Sequence, residues 1–527
     1  MVMTSIGQYW RTIRHLHSRQ VVHQCIHRLR QQPTFRLLKQ APEGHPLTAP
    51  DPVKPVSYNP DGTFSLLNCP PIRPENWNES HYGKLWTYAL NYFDCLNQST
   101  MDLPTGLALI EDFIQESHLI TDGMEPYPIS LRIGNWVQFL SRHRVHDTFI
   151  NTHLFMQADV LSQRLEYHLE GNHLLENGFA LLTAALFFQH RPWFSKACAV
   201  IESELERQLL PDGGHDERSP MYHQLLLDRL LDLLLMLRNN DWQHDQELID
   251  FITRKAEKML GWLETITFSD GSTPLVNDAA AGIAPTTNQL RWKAVRVGVR
   301  PSGGRLAESG YRMIRQARYE LLADVGPIGP DHQPGHAHAD TLSFVLHVDN
   351  KPMLIDAATS TYQSGTRRSW ERSTAAHNTV EVDGQNSSEV WGSFRVGQRA
   401  RAVIIENSDD ILTAQHDGYS RLGITHERCW HTTPTDIRIH DHLIPTRRNP
   451  PHQTGIARFY VHPDVRVQQT AYGVQAGPVT FHFVADPPPS VRLTTVELAD
   501  GFNRLRRGTC ITVTFQEQLT TTLAIAS

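Results

Sequence analysis

Two kinds of hydrophobic pattern divide the chain. From about Trp77 to Trp292, apolar residues recur at helical spacing in long Leu- and Ala-rich segments separated by polar turns. From about Gly310 they alternate with polar residues in short runs rich in Val, Ile, Thr and aromatic residues. Helices followed by strands predict an α+β multidomain protein, with an all-α domain joined to an all-β sandwich. The predicted units are a basic N-terminal segment and Pro-rich linker (1–75), a helical domain (76–305) and a β domain (306–527).

The N-terminal segment is strongly basic. Residues 1–40 hold seven Lys and Arg and no Asp or Glu, and their apolar residues suffice for one helical face. We therefore predict that the segment docks on the helical domain through Trp10, Ile13, Leu16, Val21, Val22, Ile26 and Leu29. The alternative is peripheral contact of residues 1–40 with an anionic membrane surface or a glycan. The Pro-rich stretch that follows predicts a linker or an extended wrap over a neighbouring domain.

Composition and charge narrow the class of protein. At 527 residues the chain is too long for one ordinary core. A net charge of −7 gives no global attraction for nucleic acid, so no nucleic-acid partner is expected. The six cysteines are scattered without a C-x-x-C pair, which argues against a thiolate zinc site and a disulfide framework. With no recognisable signal peptide or membrane span, we expect the cytoplasm, with the periplasm as the alternative; the oligomeric state stays open.

A cluster of histidines and aspartates lies early in the β region. In "GHAHADTLSF", His336, His338 and Asp340 occupy alternate residues where a strand is predicted to begin, so they share a face. "PMLIDAATSTY" ends a second strand-like run in Asp356, and "STAAHNTVEVDG" opens a third with His377. Two histidines and one carboxylate, with a fourth position for water, would satisfy zinc. Ordinary polar residues at strand ends are the alternative.

Together these motifs resemble the C-terminal domain of the heparinase II/III-like polysaccharide lyases, which include related alginate lyases. The upstream motifs "WTYALNYFDCL", "SLRIGNWV", "GNHLLENGFAL" and "DGGHDERSPMYH" extend the resemblance over most of residues 77–400. The resemblance implies an incomplete (α/α) toroid followed by an antiparallel β-sandwich, with the active site in the cleft between them. It also implies one zinc ion per chain, usually structural, at His338, Asp356 and His377, and a catalytic role for His336.

The chemistry of such a lyase assigns residues on the helical side. Breaking a uronate glycosidic bond by β-elimination requires neutralising the carboxylate, removing the C5 proton and protonating the leaving oxygen. The family's neutralising residues correspond to Asn172 and His173 in "GNHLLENG", where helix capping by Asn172 is the alternative.

The family's catalytic tyrosine corresponds to Tyr222. Ser219 is predicted as an N-cap and Pro220 as the first helical residue, which places Tyr222 in the first turn. Amphipathic packing is the alternative for this side chain. This tyrosine could supply the base as a phenolate. A free tyrosine has a pKa of ~10, so we expect a nearby cation such as Arg218 or a histidine.

Further substrate contacts are predicted with open alternatives. Tyr362 lies near the position of a second active-site tyrosine, although an uninterrupted count from His377 points to Gln363. Anionic sugar would bind basic and aromatic side chains, with surface or core packing as the alternative. The residues so considered are Arg218, Arg372, Trp391, Arg395 and Trp136.

Three functions are weighed. The leading one is a polysaccharide lyase whose partner is an anionic, uronic-acid-containing glycan. The second is an inverting glycosidase on the same fold, which needs opposed carboxylates such as Asp212, Asp216 and Glu217. The third is a non-catalytic glycan-binding protein of exopolysaccharide or capsule assembly.

Overall fold

The computed structural model describes residues 6–30, 42–52, 54–447 and 453–526. Two large hydrophobic cores correspond to the two patterns of the sequence. One lies among the helices, and the other lies between two β-sheets. The helical core also includes Tyr311, Leu322 and Val345 from the first strands, so one sheet packs on the helices. This shared packing forms the junction that positions the site described below.

The helical part is built from consecutive helices that pack on one another. Asp102, Asp147 and Asp245 cap their helices by accepting a hydrogen bond from a backbone N–H of the first turn. Helix α5 packs on α7, α7 on α8, and α9 on α10. The helices before the first strand are α1 (Ile6–Ile13), α2 (Ser18–Leu29), α3 (Lys84–Tyr92), α4 (Leu103–Glu116), α5 (Pro126–Arg142), α6 (Thr148–Gln163), α7 (Gly171–Phe187), α8 (Arg191–Gln208), α9 (Pro220–Arg238), α10 (Gln246–Ile266) and α11 (Thr287–Arg296).

The β part contains two large antiparallel sheets. Its strands are β1 (Tyr311–Arg315), β2 (Tyr319–Asp324), β3 (Phe344–Val348), β4 (Lys351–Leu354), β5 (Val380–Val382), β6 (Val390–Trp391), β7 (Arg395–Val396), β8 (Ala402–Asn407), β9 (Ile411–His416), β10 (Ile424–Thr432), β11 (Asp436–Pro445), β12 (Thr454–Val461), β13 (Val467–Thr470), β14 (Gly473–Ala476), β15 (Val479–Val484), β16 (Ser490–Ala499), β17 (Leu505–Gln516) and β18 (Gln518–Ile525). A short helix, α12 (Thr366–Glu371), lies between β4 and β5.

The two sheets face each other as a sandwich. The first has the order β1-β2-β3-β4-β12-β17-β16, with β5 paired to β12, and the second has the order β13-β14-β15-β18-β11-β10-β9-β8. Strand β10 alternates buried and half-buried residues, as expected when one face is covered. Phe344 of the first sheet contacts Trp430 of the second, and Phe459 contacts Phe481. The last helix before the sandwich ends at Arg296 and the first strand begins at Tyr311.

The Pro-rich stretch wraps over the helical part. The backbone N–H of His45 donates to the carbonyl of Phe187, and that of Leu47 donates to Oγ of Ser141. The stretch is extended and pairs with the helices through its backbone, which confirms the prediction of an extended wrap.

The N-terminal segment docks, but not through its apolar face. Gln20 is fully buried, and its side-chain amide donates to the carbonyls of Leu169 and His332. Arg11 pairs with Glu389 of the β part at 2.6 Å. Of the apolar residues predicted to be buried, only Leu16 is half-buried; the others are exposed. The predicted docking face was therefore wrong, because the polar sides of α1 and α2 make the contacts. Residues 31–40 lie outside the described residues.

Candidate active site

Asn172 and His173 lie in the first turn of α7, which begins at Gly171. Asn172 does not cap this helix, since Glu170 occupies the N-cap position. Its amide Nδ2 instead donates to both carboxylate oxygens of Glu217, at 3.0 and 2.8 Å. This pairing fixes the amide at the helix start, and Glu217 is thereby placed in the site.

Tyr222 lies in the first turn of α9, and the predicted cap is confirmed, because Oγ of Ser219 accepts from the Tyr222 N–H. The phenol oxygens of Tyr222 and Tyr362 are 3.0 Å apart, and the Tyr222 ring lies 4.0 Å from that of His336. Burial, followed by Tyr362 and Asp278, raises the pKa of Tyr222 well above its ordinary value. Tyr222 is therefore a neutral phenol in this structure.

Arg218 does not supply the cation that the sequence suggested. Its guanidinium donates to the backbone carbonyls of Ser309 and Pro327, so it joins the helical part to the start of the β part. The predicted substrate contact of Arg218 was wrong, since these carbonyls satisfy its donors. A histidine does lie beside Tyr222, since the His336 ring contacts that of Tyr222.

His336 and His338 lie in a loop, because the strand begins only at Phe344. The predicted alternation along a strand was therefore wrong. The two imidazoles converge instead on one carboxylate, that of Asp278. Nδ1 of His336 lies 3.0 Å from its Oδ2, and Nε2 of His338 lies 2.9 Å from its Oδ1. Asp278 precedes α11 in the helical part, so this contact crosses the domain junction.

The Asp278 carboxylate is ionised and fixes the tautomers of both rings. Burial opposes its ionisation, but Arg368 and the two histidines lower the pKa of Asp278 well below its usual range. Both guanidinium NH₂ groups of Arg368 donate to it. A carboxylate only accepts hydrogen bonds, so Nδ1 of His336 and Nε2 of His338 carry the protons.

The remaining nitrogen of His336 faces the other candidate residues. Nε2 lies 3.4 Å from Nδ2 of Asn172, which can donate to it, and 3.9 Å from Oε2 of Glu217. Burial opposes ionisation of Glu217, but His336, His215 and the Asn172 hydrogen bonds lower its pKa overall. The site thus presents the second ring nitrogen of His336 beside an amide and a carboxylate.

His173 lies against Glu166 and the Tyr127 ring. Its Nδ1 is 3.3 Å from Oε1 of Glu166, and its ring centroid is 4.4 Å from that of Tyr127. Burial lowers the pKa of His173, but Glu166 outweighs it and raises the pKa above the ordinary value. An imidazolium is therefore favoured here, which suits a group that meets an anionic sugar.

The residues predicted to hold a metal come together in a buried pocket. One ligand atom from each of His338, Asp356 and His377 lies within 4.8 Å of the others. Within the described residues, Nδ1 of His338 and Nε2 of His377 are buried without a hydrogen-bond partner, as is Oδ2 of Asp340. Burial raises the pKa of Asp340 to about 6. Two buried imidazoles with unused nitrogens beside carboxylates fit a divalent metal ion.

Two further predicted contacts, Trp136 and Arg372, are buried. Trp136 is fully buried and packs on Phe93 and Phe113, so its predicted sugar stacking was wrong. Arg372 is also buried, and it donates to the carbonyls of Ala337, Trp391, Gly392 and Arg395. It therefore holds the loop of His336 and is no substrate ligand.

Trp391 and Arg395 meet the N-terminal helices. Nε1 of Trp391 donates to Oγ1 of Thr12, and the guanidinium of Arg395 stacks on the Trp391 ring. The Tyr9 ring covers the other edge of Trp391 at 5.0 Å. Trp391 is half-buried by these contacts and Arg395 is exposed, and the predicted contacts of both with sugar stay predictions.

The carboxylates required for an inverting glycosidase are not assembled. Asp212 accepts from the backbone N–H groups of Ala307 and Ser309 and from the Ser309 hydroxyl, so it is a structural tie. Asp216 is buried, and burial raises its pKa well above the ordinary value. Among the three predicted carboxylates, Glu217 alone contacts the residues around His336.

Sequence reasoning missed Asp278 and Arg368. Asp278 lies in "LVNDAAAG", a loop sequence without a recognisable spacing to the histidines. Its only signal was an Asn-Asp pair between two apolar stretches. Arg368 was not distinguishable from its neighbour Arg367, because both lie in the same short helix.

Comparisons with known proteins agree with this architecture. The family described as heparinase II/III-like, C-terminal, matches residues 299–526, and the heparinase II/III N-terminus matches residues 128–295. A heparin-sulfate lyase of Pedobacter heparinus is 24% identical over 376 residues, covering 65% of this chain and 54% of that enzyme. FtsZ-localized protein C of Caulobacter vibrioides is 27% identical over 301 residues, covering 52% of this chain and 50% of that protein. The chain thus spans about half the length of these curated relatives.

Solved structures confirm the predicted fold class. The crystal structure of a heparinase III has a TM-score of 0.65 at 16% identity, covering 90% of this chain and 81% of that one. The fold is an incomplete (α/α) toroid followed by an antiparallel β-sandwich, with the residues around His336 at the junction.

Proposed function

Because this chain belongs to the heparinase II/III-like family, we propose that it is a polysaccharide lyase that cleaves a uronic-acid-containing glycan by β-elimination. The observation that carries the proposal is the convergence of Asn172, Tyr222 and His336 at the domain junction, with the tautomer of His336 set by Asp278. Glycosaminoglycans are the first substrates to test, since the matched Pedobacter relative is a heparin-sulfate lyase.

In the proposed mechanism, His336 removes the C5 proton of the uronate. Nδ1 donates to Asp278, so in the neutral ring Nε2 is the basic nitrogen, and it lies on the side of Asn172. The Glu217 carboxylate lies 3.9 Å from Nε2, so it stabilises the imidazolium as the proton arrives. Positioned proton transfer of this kind contributes about 10²–10⁴-fold in rate.

Tyr222 protonates the leaving glycosidic oxygen. Its raised pKa keeps the phenol protonated, and the hydrogen bond to Tyr362 holds the oxygen in place. This assignment replaces the phenolate base expected from sequence, since burial disfavours the charged form of Tyr222.

Asn172 and His173 neutralise the substrate carboxylate. The Asn172 amide would transfer a hydrogen bond from Glu217 to the substrate carboxylate, and the raised pKa of His173 favours a positive charge on its ring. Neutralising the carboxylate makes the C5 proton more acidic. Removal of that proton spreads negative charge from C5 onto the carboxylate group, and the neutralising residues stabilise this charge.

We also propose that His338, Asp356 and His377 bind one zinc ion. Zinc there would supply a structural link between the loop of His336 and the segments that precede and follow α12. His338 can serve both groups, because its Nε2 donates to Asp278 while its Nδ1 remains available for the metal. The proton transfers involve no residue of this set.

A screen of uronate polymers tests the proposed reaction. β-Elimination leaves a C4–C5 double bond conjugated to the carboxylate, so the ultraviolet absorbance of the digest should rise for at least one polymer. The panel comprises heparan-type chains, chondroitin, hyaluronan, alginate and acidic bacterial capsules. Reducing ends without that absorbance would support a glycosidase, and neither signal on any polymer would support a binding protein.

A further inference from the structure

Helices α1 and α2 turn an apolar stripe towards solvent. Ile6 and Leu29 are 90% and 84% exposed, values that are exceptional for large aliphatic residues in a folded domain. Residues three and four positions apart share one face of a helix. The members of this stripe, which we term the α1–α2 surface, are Ile6, Trp10, Ile13, Val21, Val22, Ile26 and Leu29.

The opposite sides of both helices are fixed to the body of the protein. Gln20 is buried and donates to two backbone carbonyls, and Arg11 pairs with Glu389. Nδ1 of His17 lies 3.0 Å from the buried carboxylate of Glu170. Because these polar contacts hold the helices, the apolar side chains cannot turn inward without breaking them. The α1–α2 surface therefore faces away from the described residues of the chain.

Charge selects the kind of partner. Residues 6–30 contain five arginines and no Asp or Glu, and two of the arginines, Arg11 and Arg19, pair with Glu389 and Glu204 of the body. Arg14 and Arg28 are exposed and adjoin the stripe in sequence. Exposed Trp and aliphatic residues beside arginines are typical of helices that lie in the interface of an anionic bilayer. A second copy of this chain is a poorer fit, because a two-fold contact would bring the two basic segments together.

We propose that the α1–α2 surface docks the protein on an anionic lipid membrane. Within the described parts of the chain, no helix is long and apolar enough to cross a bilayer, so the helices would lie in its surface. Their contacts, Glu170 and His332, lie two and four residues before Asn172 and His336. Docking would thus hold the candidate active site close to the membrane. This inference does not depend on the proposed reaction.

Vesicle flotation with the full chain tests the proposal. The probes are vesicles of phosphatidylglycerol mixed with phosphatidylcholine, and vesicles of phosphatidylcholine alone. The test variant is Ile13→Ser/Ile26→Ser, in the α1–α2 surface. The matched control is Val403→Ser/Ile405→Ser on β8, where both side chains are exposed to a similar degree. All four positions are exposed, so both variants should fold, which circular dichroism checks.

The wild type and the β8 control should float with the anionic vesicles, and added salt should release them. The affinity of the Ile13→Ser/Ile26→Ser variant for these vesicles should fall by about tenfold or more, since burial of apolar side chains supplies much of the affinity. Equal binding of the two variants would overturn the proposal, as would equal binding to phosphatidylcholine alone. A dimer in sedimentation velocity that Ile13→Ser/Ile26→Ser dissociates, without vesicle binding, would assign the surface to a second copy and also overturn it.

Discussion

Oδ2 of Asp278 accepts a hydrogen bond from Nδ1 of His336 across the junction of the two domains, at 3.0 Å. In Asp278→Asn, the amide can donate to Nδ1 and so favour the tautomer with the proton on Nε2. The base would then be blocked. We expect kcat to fall by about 10²–10⁴-fold with a small change in KM, measured by steady-state lyase kinetics.

The same substitution leaves Arg368 without its buried partner, which typically costs about 3–5 kcal/mol of stability. Kinetics are therefore measured well below the melting temperature of the variant. Thr359→Val is the matched control, because it removes a 3.1 Å hydrogen bond to Oδ1 of Asp278 without touching His336. A folded Asp278→Asn enzyme with the kcat of Thr359→Val would show that the tautomer of His336 is irrelevant.

Tyr222 and Tyr362 form a pair in which loss of either hydroxyl removes the same 3.0 Å hydrogen bond. Tyr222→Phe and Tyr362→Phe should therefore lose similar amounts of stability. If Tyr222 is the acid, its variant should lose about 10²–10⁴-fold in kcat, whereas Tyr362→Phe should lose much less. Thermal melts and kinetics on both variants make the comparison, and the reverse order of activities would assign the acid to Tyr362.

The raised pKa of His173 predicts an alkaline fall in kcat/KM. A folded-state pKa above the free value of ~6.5 means that the imidazolium contributes stability below that value and loses it as pH rises through the raised pKa. The same titration removes the charge that meets the substrate carboxylate. Glu166→Gln removes the anionic neighbour, so the fall in kcat/KM should move to lower pH.

Glu202→Gln serves as the control for this pH profile, since Glu202 is exposed on α8 and does not contact His173. Its profile should match that of the wild type. An alkaline limb that stays in place in Glu166→Gln would exclude His173 as its origin.

Zinc content should separate two histidines that bond to the same carboxylate. His336→Ala and His338→Ala each lose one hydrogen bond to Asp278. Elemental analysis should find about one zinc ion per chain in the wild type and in His336→Ala, and much less in His338→Ala. A wild type that is folded and stable without metal would contradict the proposed zinc site.

Helix and strand boundaries could be predicted from the sequence where contacts between neighbouring residues determine them. The Ser219-Pro220 pair predicted the start of α9 and hence the place of Tyr222, because a cap and its first turn are formed by neighbours in sequence. The docking of α1 and α2 could not be predicted in the same way. A buried Gln20 and outward Ile6 reverse the usual amphipathic rule, and only their tertiary partners account for it.

The sequence predicted which residues form the candidate site better than it predicted how they are arranged. His336, Asn172 and Tyr222 come together as the resemblance implies, but Asp278, which orders them, lies alone in a loop. Arg372 and Trp136 illustrate the opposite failure. A buried arginine that binds carbonyls has the same sequence appearance as an exposed arginine that binds sugar.

The central claim is that His336 and Tyr222 perform β-elimination. The most direct measurement is mass spectrometry of the digestion products formed in heavy-oxygen water, for whichever uronate polymer is cleaved. Elimination predicts an unsaturated uronate at each new non-reducing end and no oxygen taken from the solvent, with His336→Ala giving no such product. Hydrolysis would instead leave saturated non-reducing ends and place the heavy oxygen on the anomeric carbon of each new reducing end, and that result would contradict the mechanism.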